Sequence, residues 1–162
     1  MTRKNSLQLL NDVYNIRKRI YIAAPIEKVF EALTSSEHWD RYFTTGMELD
    51  PRPGGVCNFR WKDWGPDLVD LGSPGRVTEI EPPMRFAFEW GRPGEKTMAQ
   101  LDLETRGNGT VLSLFESGYP QTHDGLRSIL ECSAHWGELL ALVKFYVEYG
   151  FIYRSPEAGV AR

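Results

Sequence analysis

HDGLRSILECSAHWGELLALVKFYVEY, residues 123–149, is the stretch whose reading decides the fold. It contains no proline, its glycines are Gly125 and Gly137, and Gly150 follows at once as a common helix stop. It predicts one helix roughly 40 Å long at 1.5 Å per residue. On a 3.6-residue wheel, Ile129, Cys132, Trp136, Leu139, Leu140, Val143, Tyr146 and Val147 share a face, with Arg127, Glu131 and Glu138 opposite. An apolar stripe of that length needs a broad partner surface.

The partner is predicted upstream, where the period falls from 3.6 to 2. Cys57, Phe59 and Trp61 alternate with Asn58, Arg60 and Lys62. The same alternation sets out Met84, Phe86, Phe88 and Trp90, then Ala99, Leu101 and Leu103, then Leu112 and Leu114. Residues 45–50 and 75–81 read as further strands. Gly-Pro punctuation separates the runs at 51–55, 65–66, 74–75, 82–83, 93–94 and 107–109. Such short connections imply antiparallel hairpins. An antiparallel sheet with one apolar face needs a cover, and the terminal helix carries the matching stripe.

Ahead of the meander, residues 16–23 read as a strand. Ala24-Pro25 then opens a short helix, with Pro25 at its first position and Ile26, Val29, Phe30 and Leu33 on one face. A second short helix, 36–42, carries Trp39 and leads to Phe43. The predicted class is α+β: about seven strands in one curved antiparallel sheet around a long C-terminal helix, with two short helices after the first strand. Residues 16–150 form the domain, 1–15 an N-terminal arm and 151–162 a tail.

The chain has 162 residues and a net charge of −3, one domain in size and too acidic overall for a backbone-reading nucleic-acid surface. Arg17, Lys18 and Arg19 read as a solvated strand start. No 18-residue apolar run exists, so no membrane span is expected. MTRKNSLQLLNDVY lacks the apolar core of a signal peptide. Two distant cysteines, Cys57 and Cys132, make no disulfide framework. The expectation is a cytoplasmic, reduced protein.

IYIAAPIEKVFEALT (20–34), HWDRYF (38–43), PRPGGVCNFRW (51–61), GRVTEIEPPMRFAFEW (75–90), NGTVLSLFESGYP (108–120) and HWGELLALVKFYVE (135–148) occur in that order. Together they resemble the stand-alone bacterial relatives of the C-terminal domain of the activators of the heat-shock-protein-90 ATPase, over roughly residues 16–149. That family lies in the START-like (SRPBCC) superfamily with the helix-grip fold. The resemblance implies a sheet gripping the terminal helix, with a cavity for an apolar molecule between them. It carries no shared catalytic residue set and no cofactor.

The residues themselves offer few reactive constellations. His38 and His123 read as solvated or capping, and no signature surrounds His135. Cys132 and His135 stand one helical turn apart with Cys57 elsewhere, but no fourth ligand suggests itself, so no metal is expected. Glu116 continues the register of Leu112 and Leu114 and is predicted to point inward at the sheet's end, where a carboxylate orients a ligand or acts as acid or base. The alternative for Glu116 is a strand-end group pairing with an arginine.

The aromatic side chains read either as a filled core or as rigid pocket walls. The pocket reading expects walls of Phe59, Trp61, Phe86, Phe88, Trp90, Leu101, Leu112 and Leu114, with Glu116 at the end. Trp136, Leu140 and Val143 form the lid, Trp39 and Phe43 lie near one end, and Trp64 edges the mouth. On the outer face of the helix, Leu142, Phe145 and Tyr149 predict a homodimer contact; the alternative is that the N-terminal arm or the tail 151–162 folds over them. The expected function is non-catalytic binding of an apolar or amphipathic small molecule. The alternatives are a co-chaperone or interaction module and a polyketide-cyclase-like enzyme.

Overall fold

The structure, a computed structural model, describes residues 14–153; most of the expected arm and tail lies outside the described residues. The elements in chain order are β1 (Ile16–Ile22), α1 (Ile26–Thr34), α2 (Ser36–Tyr42), β2 (Glu48–Leu49), β3 (Cys57–Trp64), β4 (Val69–Ser73), β5 (Gly75–Glu81), β6 (Arg85–Trp90), β7 (Thr97–Arg106), β8 (Gly109–Ser117) and α3 (His123–Tyr149). The order is the expected one, and the architecture is the helix-grip arrangement.

The strands form two antiparallel sheets, β1-β8-β7-β6-β5 and β2-β3-β4, rather than one sheet of seven. They are joined by a bridge between Val56 and Arg76, and Val77 N donates to Gly55 O at 2.9 Å. Gly75 stands at the joint. A Cβ there would lie 2.5 Å from Cys57 O and 2.7 Å from Glu89 O, so only glycine lets the backbones approach so closely.

β4 is a strand without a period in the sequence. Val69, Asp70, Leu71 and Gly72 are all exposed, so no buried face imposes an alternation. Main-chain pairing onto β3 makes the strand, through Phe59↔Ser73 and Trp61↔Leu71. The expected strand over 45–50 shrinks to two residues for the opposite reason. Asp40 Oδ1 accepts from Gly46 N and Met47 N, both at 2.9 Å, and holds that stretch as a turn. Pro25 precedes α1 rather than opening it: its ψ of 147° is extended. Met84 sits exposed in the turn before β6.

α3 is capped at both ends, at its C-terminus by the expected Gly150 and at its N-terminus by Thr122. Thr122 Oγ1 accepts from Gly125 N at 3.1 Å. Gly150, at φ 68°, donates its N–H to Tyr146 O at 2.8 Å, a left-handed stop favoured by glycine. Ile129, Trp136, Leu139, Leu140, Val143 and Val147 are buried, while Arg127, Glu131 and Glu138 face solvent. Burying each such large apolar side chain contributes about 1.5–3 kcal/mol, so the stripe outweighs any intrinsic helix preference. Among the described residues no helix is long and apolar enough to cross a membrane.

The last turns of α3 are tied to the end of β1. Ala23 N donates to Glu148 Oε1 at 2.6 Å, and Lys144 Nζ donates both to that carboxylate and to Tyr21 O at 2.7 Å. The Ala23 amide first, then Lys144, hold the Glu148 carboxyl below its ordinary pKa. A depressed folded pKa means the contribution is complete above the unfolded value, about 4.3, and is lost as pH falls through the folded one. Thermal melts across the acid range are expected to show a shallower decline for Glu148→Gln than for wild type. Parallel curves would remove Glu148 from that account.

Candidate functional site

The inward registers of the sheet bring the aromatic side chains together, and they meet one another. Ring centroids lie 5.2 Å apart for Trp39–Phe59, 5.2 Å for Phe59–Phe88, 5.0 Å for Phe59–Trp90 and 5.5 Å for Trp90–Trp136. These are contact separations for aromatic pairs. Phe59, Phe86, Phe88, Leu101, Leu112 and Leu114 are therefore buried in one core with Trp39, Phe43, Trp136, Leu140 and Val143. None of these eleven side chains lines the pocket that remains.

That pocket, of about 390 Å³, lies past the aromatic core at the end of the sheet, between the β3–β4 edge and the first half of α3. Of the expected cavity residues it takes Trp61, Trp90 and Glu116. Leu71, Thr97, Tyr119, Cys132 and His135 join them. Trp64 is placed elsewhere. The β3–β4 register shifts between Trp61 and Trp64, where Asp63 has φ 50°. An irregularity of this kind re-aims the side chains that follow. The Trp64 ring accordingly packs on Phe43 at 5.4 Å and Tyr153 at 4.6 Å.

Glu116 sits in the inward register of β8 opposite Ala99 of β7, and it is 0 % exposed. Its Oε1 accepts from Trp90 Nε1 at 2.7 Å and from Thr97 Oγ1 at 2.5 Å; its Oε2 accepts from Trp136 Nε1 at 2.6 Å. The arginine partner weighed for it is replaced by two indoles and a hydroxyl. Three donors on two oxygens meet the requirement that a buried carboxylate be hydrogen-bonded. The same bonds lock the rotamers of both tryptophans.

Two polar atoms of the wall residues are left over. Trp61 Nε1 and Tyr119 Oη are buried and have no hydrogen-bond partner of good geometry among the described residues. Burial first, then the charge of Glu116 and the neighbouring Cys132 thiol, raise the pKa of the Tyr119 hydroxyl, which therefore stays protonated. Burial likewise raises the Cys132 thiol. Tyr119 escapes a reading by period, because one aromatic side chain in SGYP after β8 has no alternation to belong to.

The histidines differ from expectation in one case. His38 is half-buried, its Nδ1 bonded to Tyr146 Oη and its Nε2 3.7 Å from Glu31, so it joins α2 to α3 rather than facing water. His123 is exposed at the start of α3, and His135 is exposed on the pocket rim. Cys57 lies in the core, its thiol pushed up to about 12 by burial, and it does not reach the Cys132–His135 wall.

A second feature occupies the outer face of α3. Phe145 is 49 % exposed, Tyr149 74 % and Phe151 52 %; with half-buried Leu142 they line an apolar hollow.

Residues 23–148 match the sequence pattern of the family described as Activator of Hsp90 ATPase homolog 1-like protein. Among solved structures, the Aha1 dimer from Colwellia psychrerythraea is 25% identical with a TM-score of 0.71, the match covering 84% of this chain and 97% of that one. Protein NE0264 from Nitrosomonas europaea is 16% identical with a TM-score of 0.73, covering 86% and 97%. DynU16, a protein in the dynemicin biosynthetic locus, is 18% identical with a TM-score of 0.70; the match covers 86% of this chain and 49% of DynU16. At the identities of the last two, the likeness speaks for the fold alone. No curated protein matches the chain.

Proposed function

The chain belongs to the Activator of Hsp90 ATPase homolog 1-like family, and from that premise we propose that it binds an amphipathic small molecule in the pocket beside Glu116, without catalysis. One observation carries the reading: Trp61 and Tyr119, whose Nε1 and Oη are buried without a hydrogen-bond partner among the described residues, are both among the residues lining a pocket of about 390 Å³. Such a group costs roughly 1–3 kcal/mol while unpaired, and a ligand's polar atoms remove that cost. Leu71, Trp61 and Trp90, all lining residues, suit the ligand's apolar part. Glu116 serves as an anchor, since both its oxygens already engage donors. That favours binding over a polyketide-cyclase-like reaction, which would need this carboxylate as acid or base. A co-chaperone role is supported by the family's description alone.

Native mass spectrometry of the purified protein tests the reading. The expected result is an adduct of a small organic molecule that is lost on denaturation. A bare protein, together with unchanged tryptophan fluorescence across a panel of fatty acids, sterols and aromatic polyketides, would sink it.

The patch of Leu142, Phe145, Tyr149 and Phe151 favours a second property, self-association, in which two copies bury that apolar face against each other. A relative of the same fold is described as a dimer. Sedimentation at tens of micromolar is expected to give a dimer for wild type and a monomer for Phe145→Glu. A monomeric wild type ends the proposal.

A further inference from the structure

The charges around the same pocket say more than its shape, and the ligand class they indicate rests on the binding reading above. Glu95, Glu116 and Asp124 all line the pocket. Among the described lining residues there is no lysine or arginine, and His135 is the one titratable base. Glu116 has neutral donors for partners, and no cation among the described residues is bonded to it. The lining also includes the indoles of Trp61 and Trp90. Tyr119 is only 9 % exposed and lines the pocket, and its Oη, near Glu116 and the Cys132 thiol, has no hydrogen bond of good geometry among the described residues.

We propose that the ligand is an organic cation, a protonated amine carried on an aromatic or apolar frame. An anion entering this space would lose hydration and meet three carboxylates, whereas an ammonium group gains their attraction. Indole faces add a cation–π contribution that grows as water is excluded. The ligand's ammonium N–H would pair with Tyr119 Oη, and a hydroxyl or carbonyl on its frame with Trp61 Nε1–H. The acidic groups therefore select charge, the tryptophans select flat apolar bulk, and the two unpaired polar atoms fix orientation.

Isothermal titration calorimetry with three probes of one frame separates charge from shape: 1-naphthylmethylamine, 1-naphthylmethanol and 1-naphthoate, near neutral pH. The amine is expected to bind about tenfold tighter than the alcohol, and the carboxylate most weakly. In the double variant Glu95→Gln with Asp124→Asn, checked for folding by circular dichroism, the amine's advantage is expected to shrink while the alcohol's affinity holds. Alcohol binding as tightly as amine, or carboxylate binding tightest, overturns the cation proposal and leaves the binding reading standing. An amine advantage unchanged in the double variant also overturns it. No heat from any probe, with a bare native mass spectrum, overturns both.

Discussion

Trp136→Ala is expected to destabilise the protein by about 3–5 kcal/mol, the cost of truncating a fully buried tryptophan. For a domain of this size that is a fall in Tm of about 6–20 °C. Two losses combine. The indole packs against Trp90 at a centroid distance of 5.5 Å, in the seam between α3 and the sheet. Its Nε1 also donates to Glu116 Oε2 at 2.6 Å. Trp136→Phe separates them, because it keeps most of the apolar volume and removes only the donor. It should cost roughly 1.5–3 kcal/mol, the range for a hydrogen bond to a charged group. Differential scanning calorimetry of wild type and both variants decides. If Trp136→Ala melts with wild type, the stripe of α3 does not carry the core.

Replacing Glu116 is expected to be as damaging, in an order that simple hydrophobicity would reverse. Glu116→Leu puts an apolar group at a fully buried site, yet it strands Trp90 Nε1, Trp136 Nε1 and Thr97 Oγ1 at once. Each orphaned donor costs about 1–3 kcal/mol, so the variant should lose on the order of 3–9 kcal/mol. Glu116→Gln keeps one acceptor oxygen and sets its amide against one donor, so it should lose less, about 1–3 kcal/mol. Urea denaturation gives both values. A Glu116→Leu protein as stable as wild type would show that the carboxylate organises nothing. A double-mutant cycle of Glu116→Gln with Trp136→Phe should show coupling, since the two share one bond.

The long helix, the two short ones and most strand positions are legible in the sequence, because burial leaves a period wherever one face of an element packs. Glu116 is legible as an inward group for the same reason: it shares parity with Leu112 and Leu114 on one strand. Its partners are not legible. Trp90 lies 26 residues away and Trp136 20, on a different strand and a helix. β4 leaves no trace because its residues are exposed and its existence depends on main-chain pairing with β3. Trp64 departs from its expected place because the register shift before it is a backbone feature that the alternation of side chains does not record.

Which faces are apolar, and in what order the elements come, is written along the chain, and that is enough for the helix-grip architecture. Where the architecture is filled and where it is open is settled only by three-dimensional packing. Phe59, Phe88, Trp90 and Trp136 face inward in either case, but whether they line a space or close it depends on separations between elements. At centroid distances of 5.0 to 5.8 Å they close it. The pocket is left at the sheet's end, where Trp90 and Trp136 turn their N–H groups to one buried carboxylate, while the Trp61 N–H and the Tyr119 hydroxyl find no partner among the described residues.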